Sequence, residues 1–75
     1  MSRPIVLLTN PIDPVGVAQL EQVAEVRLAS ARDADTLRRE VADADGLMVR
    51  AQLPDDIFEH APRLRAVVRH GAGLD

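Results

Sequence analysis

An open, doubly wound α/β sheet of four parallel strands in the order 2-1-3-4 is the fold this sequence predicts. Three observations carry the prediction. Four strand-length segments recur along 75 residues, and a helix-length pattern separates each from the next. Three of the four strands are continuously apolar, as strands buried on both faces are, whereas the second alternates polar with apolar. The connections are only a few residues long, and strands joined through helices run parallel. The alternating strand belongs at an edge, which places the reversal of chain direction between strands one and three.

The first strand is Ile5-Val6-Leu7-Leu8, ending at Thr9-Asn10-Pro11. Pro11 and Pro14 bracket a turn. Pro14 also suits the first turn of a helix, with Asp13 placed to cap it. Val17, Leu20 and Ala24 then recur at helical spacing, predicting an amphipathic helix of about three turns. The second strand is Glu25-Val26-Arg27-Leu28, half exposed at the sheet edge. Asp33 is placed to cap a second helix, in which Ala34, Leu37, Val41 and Ala44 form the inner stripe. Arg38, Arg39, Glu40 and Asp43 are expected on its solvated outer side.

Gly46-Leu47-Met48-Val49-Arg50 forms the third strand, apolar until its last residue. Pro54 opens a short third helix, with Asp55 and Asp56 complementing the positive end of its dipole. Ile57, Phe58 and Ala61 are expected to face inward. Pro62 ends this helix, because the residue before a proline resists the α conformation. Ala66-Val67-Val68 is the fourth strand. It runs directly into Arg69-His70-Gly71-Ala72-Gly73-Leu74-Asp75.

The bulk properties narrow the function. The chain has no cysteine, hence neither a disulfide staple nor a thiolate metal site. Its single aromatic residue is Phe58, so the core rests on small aliphatic side chains that each bury little area. The net charge is −3 and no run of basic residues forms a stripe; lysine is absent. Nucleic-acid and membrane-surface binding are therefore disfavoured. The apolar run after Met1-Ser2-Arg3-Pro4 is too short for a signal peptide or a membrane span, so a cytoplasmic location is expected.

In an open parallel sheet, ligands bind beyond the carboxyl ends of the strands. Three segments converge there: Thr9-Asn10-Pro11, Arg50-Ala51-Gln52 and Arg69-His70-Gly71-Ala72-Gly73. Free N–H groups in a glycine turn form a concavity that favours anions. A nearby arginine adds a planar charged fork suited to a carboxylate or phosphate. The expected chemistry is a small-anion pocket, although a Gly-x-Gly after a strand also fits a plain tight turn. Gly71-Ala72-Gly73 lacks the third glycine of a dinucleotide fingerprint, and no Gly-Lys-Ser/Thr phosphate loop is present. His60 is expected to serve the helix end. His70 lies in the candidate loop. Two histidines in different elements without cysteine make no metal site.

The run Leu47-Met48-Val49-Arg50, then Leu53-Pro54 and a helix, then residues 61–75 with their Arg-x-Gly-x-Gly-x-Asp, resembles the amino-terminal region of the D-isomer-specific 2-hydroxyacid dehydrogenases, most of all the phosphoglycerate dehydrogenase-like branch. The resemblance implies a flavodoxin-like, discontinuous substrate-binding (catalytic) domain, of which residues 1–75 are an amino-terminal and incomplete part. A Rossmann domain binding NAD or NADP would follow it and is absent here. The substrate implied is a small 2-hydroxy or 2-keto acid. Arg50 and the loop His70-Gly71-Ala72-Gly73 would bind it, Ala72 would also contact the cofactor, and the parent enzyme would be a homodimer. Relatives often carry serine where Ala51 stands and threonine where Ala72 stands, so two hydroxyls are missing. The family's catalytic arginine, glutamate and histidine lie downstream, which leaves no catalytic residue in this chain, His70 included. The segment is thus expected to be inactive alone, and marginally stable or aggregation-prone. The alternative is a stand-alone flavodoxin-like binding or regulatory module. In its phospho-acceptor form it would need acids after strand one and an aspartate after strand three, where Thr9-Asn10 and Arg50 stand.

Overall fold

The structure, a computed structural model, describes residues 3–69. Four parallel strands form one sheet in the order β2-β1-β3-β4: β1 Ile5–Leu8, β2 Glu25–Leu28, β3 Gly46–Val49 and β4 Ala66–Arg69. Helix α1 (Pro14–Glu21) connects β1 to β2, and α2 (Ala34–Glu40) connects β2 to β3. The order and direction are those the sequence predicts, and the alternating strand lies at an edge.

Register assigns each strand residue to a face, because paired residues in a parallel sheet point the same way. Leu7 lies beside Leu47, and Leu47 beside Val67. On that face Leu7, Leu47 and Val49 pack with Leu37, Val41, Ala44, Ile57 and Ala61 into the core. The opposite face carries Val6, Leu8, Gly46, Met48, Ala66 and Val68 in register. There α1 contributes Leu20, and a hollow of about 140 Å³ remains between Leu20, Val6, Met48 and Val68. A second groove, of about 400 Å³, lies against α1 between Ile12, Gly16, Leu20, Val23 and Met48.

Both capping aspartates act as their positions predict. Asp13 accepts a hydrogen bond from the Val15 N–H at 2.9 Å. Asp33 accepts one from the Thr36 N–H at 3.0 Å and another from the Thr36 hydroxyl at 2.8 Å. These bonds satisfy amides that a helix start otherwise leaves without partners. Asp45 ties the amino ends of three strands together. Its carboxylate accepts from the Ile5 N–H at 2.8 Å, its N–H donates to the Ile5 carbonyl, and its carbonyl accepts from the Arg65 N–H.

All three helices depart from expectation: α2 ends at Glu40, Val41–Asp43 tighten to three residues per turn, and Ala44, expected on the helix stripe, is already extended. α1 has eight residues rather than three turns, and none of them is fully buried. Ala24 is buried but outside the helix, because Glu25 must already donate to the Pro4 carbonyl to open β2. The third helix is a 3-10 turn, Ile57–His60, closed by i to i+3 bonds such as Glu59 N–H to the Asp56 carbonyl at 3.0 Å. Pro62 cuts the turn off, because the residue before a proline resists the α conformation. Three residues per turn puts Phe58 a third of a revolution away from Ile57. Ile57 is buried whereas Phe58 is 58% exposed, against the expectation that both face inward. Ala61 still reaches the core, because its backbone has left the turn at φ −126° and ψ 67°.

Candidate functional site

The carboxyl rim of the sheet is built by the last residues of β1 and β3 and the first residues beyond them. Thr9 extends the ladder by one step: its N–H donates to the Met48 carbonyl at 3.1 Å. Its side chain is fully buried. The Thr9 hydroxyl accepts from the Arg50 N–H at 2.9 Å and donates to the Asn10 side-chain carbonyl at 2.8 Å. Arg50 is therefore pinned by its backbone while its side chain is exposed. Among the described residues, no carboxylate pairs with the Arg50 guanidinium. A planar, permanently charged donor held at a rim by a fixed backbone suits recognition of a small carboxylate.

β4 lies directly beside β3. The pairing Val49↔Arg69 brings the ends of both strands to the same rim, next to Arg50. Of the predicted substrate residues, Arg50 is thus found at the strand end where ligands of such sheets bind. His70, Gly71, Ala72 and Gly73, together with the proposed cofactor contact at Ala72, lie outside the described residues. Ala51 is half-buried and brings no hydroxyl to the rim.

Several other polar residues tie the scaffold together. Arg38, placed by its spacing on a solvated side, instead links two elements: its Nε donates to Asp56 at 3.0 Å and its Nη1 to Asp35 at 3.0 Å. The Arg38 partner, by hydrogen bond and charge, holds the Asp56 carboxyl below its usual value. His60 Nε2 stands 3.4 Å from the other Asp56 oxygen. Asp56 is thereby a tether between the 3-10 turn and α2; its side chain makes no cap bond to the turn that follows it. Glu40 accepts from the Ser30 N–H at 2.9 Å and from its hydroxyl at 2.5 Å, and these bonds hold its pKa below the usual glutamate value. Among the described residues, no group of three or more metal-ligating side chains is present, and no helix is long and apolar enough to cross a membrane.

Thr9 is the rim residue whose part the sequence did not disclose. Its place after β1 was legible, but which neighbour its hydroxyl would meet depends on β1 and β3 being adjacent.

Comparison with known proteins adds an independent line. Residues 6–75 match the model for the D-isomer specific 2-hydroxyacid dehydrogenase, catalytic domain. D-3-phosphoglycerate dehydrogenase from Mycobacterium bovis is 40% identical over 77 residues, which span all of this chain and 15% of that protein. Glyoxylate reductase from Pyrococcus furiosus is 32% identical over 78 residues, spanning 97% of this chain and 23% of that protein. Among solved structures, an NADPH-dependent glyoxylate/hydroxypyruvate reductase from Sinorhizobium meliloti, in complex with citrate, superposes with a TM-score of 0.75 at 29% identity. That likeness covers 100% of this chain and 24% of the reductase chain.

Proposed function

Because this chain belongs to the D-isomer-specific 2-hydroxyacid dehydrogenases, by their catalytic domain, we propose that it supplies the carboxylate-holding rim of an NAD- or NADP-dependent oxidoreductase. That enzyme would transfer hydride between C2 of a 2-hydroxy acid and nicotinamide, and would work as a homodimer. Arg50 would form charge-assisted hydrogen bonds to the substrate carboxylate, and the backbone of Gly71-Ala72-Gly73 would donate to it from the neighbouring strand end. The observation that supports this reading most is the position of Arg50: its side chain is exposed at the carboxyl rim, directly after the central strand β3 and beside β4.

The one cofactor contact proposed for this chain is at Ala72. Among the described residues, the rim offers no glycine cradle at a helix start for a pyrophosphate. The part of Arg50 and the glycine turn is to bind and orient an acid.

The test uses the complete product of the gene that encodes this chain. Glyoxylate, hydroxypyruvate and 3-phosphoglycerate are assayed with NAD(H) and NADP(H). Turnover of at least one acid is expected. Arg50→Ala should raise its KM by about 10- to 100-fold, the worth of one or two charge-assisted hydrogen bonds. An unchanged KM would remove Arg50 from the site, and absence of turnover with every pair would overturn the reading as a whole.

A further inference from the structure

We infer that Thr9 is a positioning residue for substrate binding, acting through the backbone of Arg50. The inference rests on the reading of Arg50 given above and adds to it a residue that never touches the substrate.

Three bonds define the arrangement. The Thr9 N–H donates to the Met48 carbonyl at 3.1 Å, the Arg50 N–H donates to the Thr9 hydroxyl at 2.9 Å, and that hydroxyl donates to the Asn10 side-chain carbonyl at 2.8 Å. An N–H can only donate, so the Thr9 oxygen must be the acceptor toward Arg50. Its single proton is then free for Asn10, whose oxygen can only accept. Each bond thereby fixes the direction of the next, and the hydroxyl has one favourable orientation.

The location gives the chain of bonds its consequence. The last residue of β3 paired with β1 is Met48, opposite Leu8, and Arg50 lies beyond the end of β3 itself. From β1's side, the side chain of a fully buried residue, and no further ladder bond, holds its main chain. Where the guanidinium sits over the rim depends on where its Cα is held, and about 1 Å of misplacement is enough to weaken a directional contact substantially. Valine at position 9 would fill the same volume with no acceptor. The Arg50 amide would then be free to turn, and the side chain with it.

In the complete gene product, Thr9→Val should raise KM for the accepted acid about tenfold, with kcat changed less than about twofold, the pattern of lost ground-state and transition-state binding alike. Thr9→Ser, which keeps the hydroxyl, should restore KM to within about twofold. On an Arg50→Ala background Thr9→Val should change KM no further, because the residue it positions is gone. Asn10→Ala releases the hydroxyl without touching the core and should raise KM about threefold; it carries the test if Thr9→Val does not fold. A normal KM in folded Thr9→Val, an effect that multiplies with that of Arg50→Ala, or no rescue by serine would each overturn the inference, as would a normal KM in Asn10→Ala if that variant carries the test. If Arg50→Ala itself leaves KM unchanged, the reading of Arg50 fails and takes this inference with it. If Arg50→Ala raises KM while Thr9→Val is silent, only the inference fails.

Discussion

Ile57 and Phe58 are adjacent, apolar and of similar size, yet one is 1% exposed and the other 58%. Ile57 packs against Leu37, Val41 and Val49, so truncating it opens a cavity that its neighbours cannot close. Ile57→Ala is expected to cost about 2–4 kcal/mol, the usual range for a buried large-to-small change. Phe58→Ala removes a ring that mostly faces water and should cost about 1 kcal/mol or less. Urea midpoints of the two variants, measured side by side, check the contrast. Equal losses would return Phe58 to the core, where its spacing after Pro54 had put it. That misreading has a specific origin: residues 57, 58 and 61 share a face only if the backbone is α-helical. Nothing local says that the segment between Pro54 and Pro62 will form a tighter turn instead.

At the scale of elements, α2 is held by its carboxylates. Asp33 at its start is lowered by the Thr36 hydroxyl and amide, Glu40 at its end by Ser30, and Asp56 across from it by Arg38. All three folded-state values lie below the ordinary ones of 3.8 for aspartate and 4.5 for glutamate. Between the folded and unfolded values the unfolded chain binds more protons, so this part of the stability is fully present above the unfolded values and is lost as pH falls through the folded ones. The urea midpoint should therefore show no loss from these groups between pH 7 and about 5, and should fall as pH drops below about 4.5. Asp33→Asn keeps a good capping residue but removes one titrating group, and Asp56→Asn removes another. Each should make the acid decline shallower, and added salt should weaken the effect of Asp56→Asn more, because an exposed ion pair is screened. A midpoint that rises as pH falls from 5 to 3 would contradict the assignment. The capping part of this was legible, since Asp33 stands one residue before a helical stripe. The tethering role of Arg38 was not, because its partner is 18 residues away on a different element.

The whole molecule is a sheet with its two faces unequally covered. α2 and the 3-10 turn close one face over Leu7, Leu47 and Val49. The other carries α1 over β1 and β2 and leaves apolar hollows beside Met48 and Val68. β4 is an edge strand, its four residues all exposed, with Val67 at 44% and Val68 at 53%. An exposed apolar edge offers unpaired backbone groups and side-chain area to any similar strand. The 75-residue chain in isolation is expected to unfold at low urea, to bind a dye that reports exposed apolar surface, and to sediment as larger species when its concentration is raised. A sharp transition worth several kcal/mol in a monomer that binds no dye would contradict this.

The sequence by itself determined the element order, the parallel direction, the edge position of β2 and the strand order, because these follow from periodicity, connection length and apolar patterning along the chain. It also determined the family, through the residues around Arg50 and the glycine turn. What only the tertiary structure decided were pairings across distance: Thr9 under Arg50, Arg38 against Asp56, Asp45 across three strands, and which side of the 3-10 turn faces water. Short-range preferences act over a few residues and are written in local composition. A hydrogen bond between residues 41 positions apart exists only once the sheet has brought their strands together.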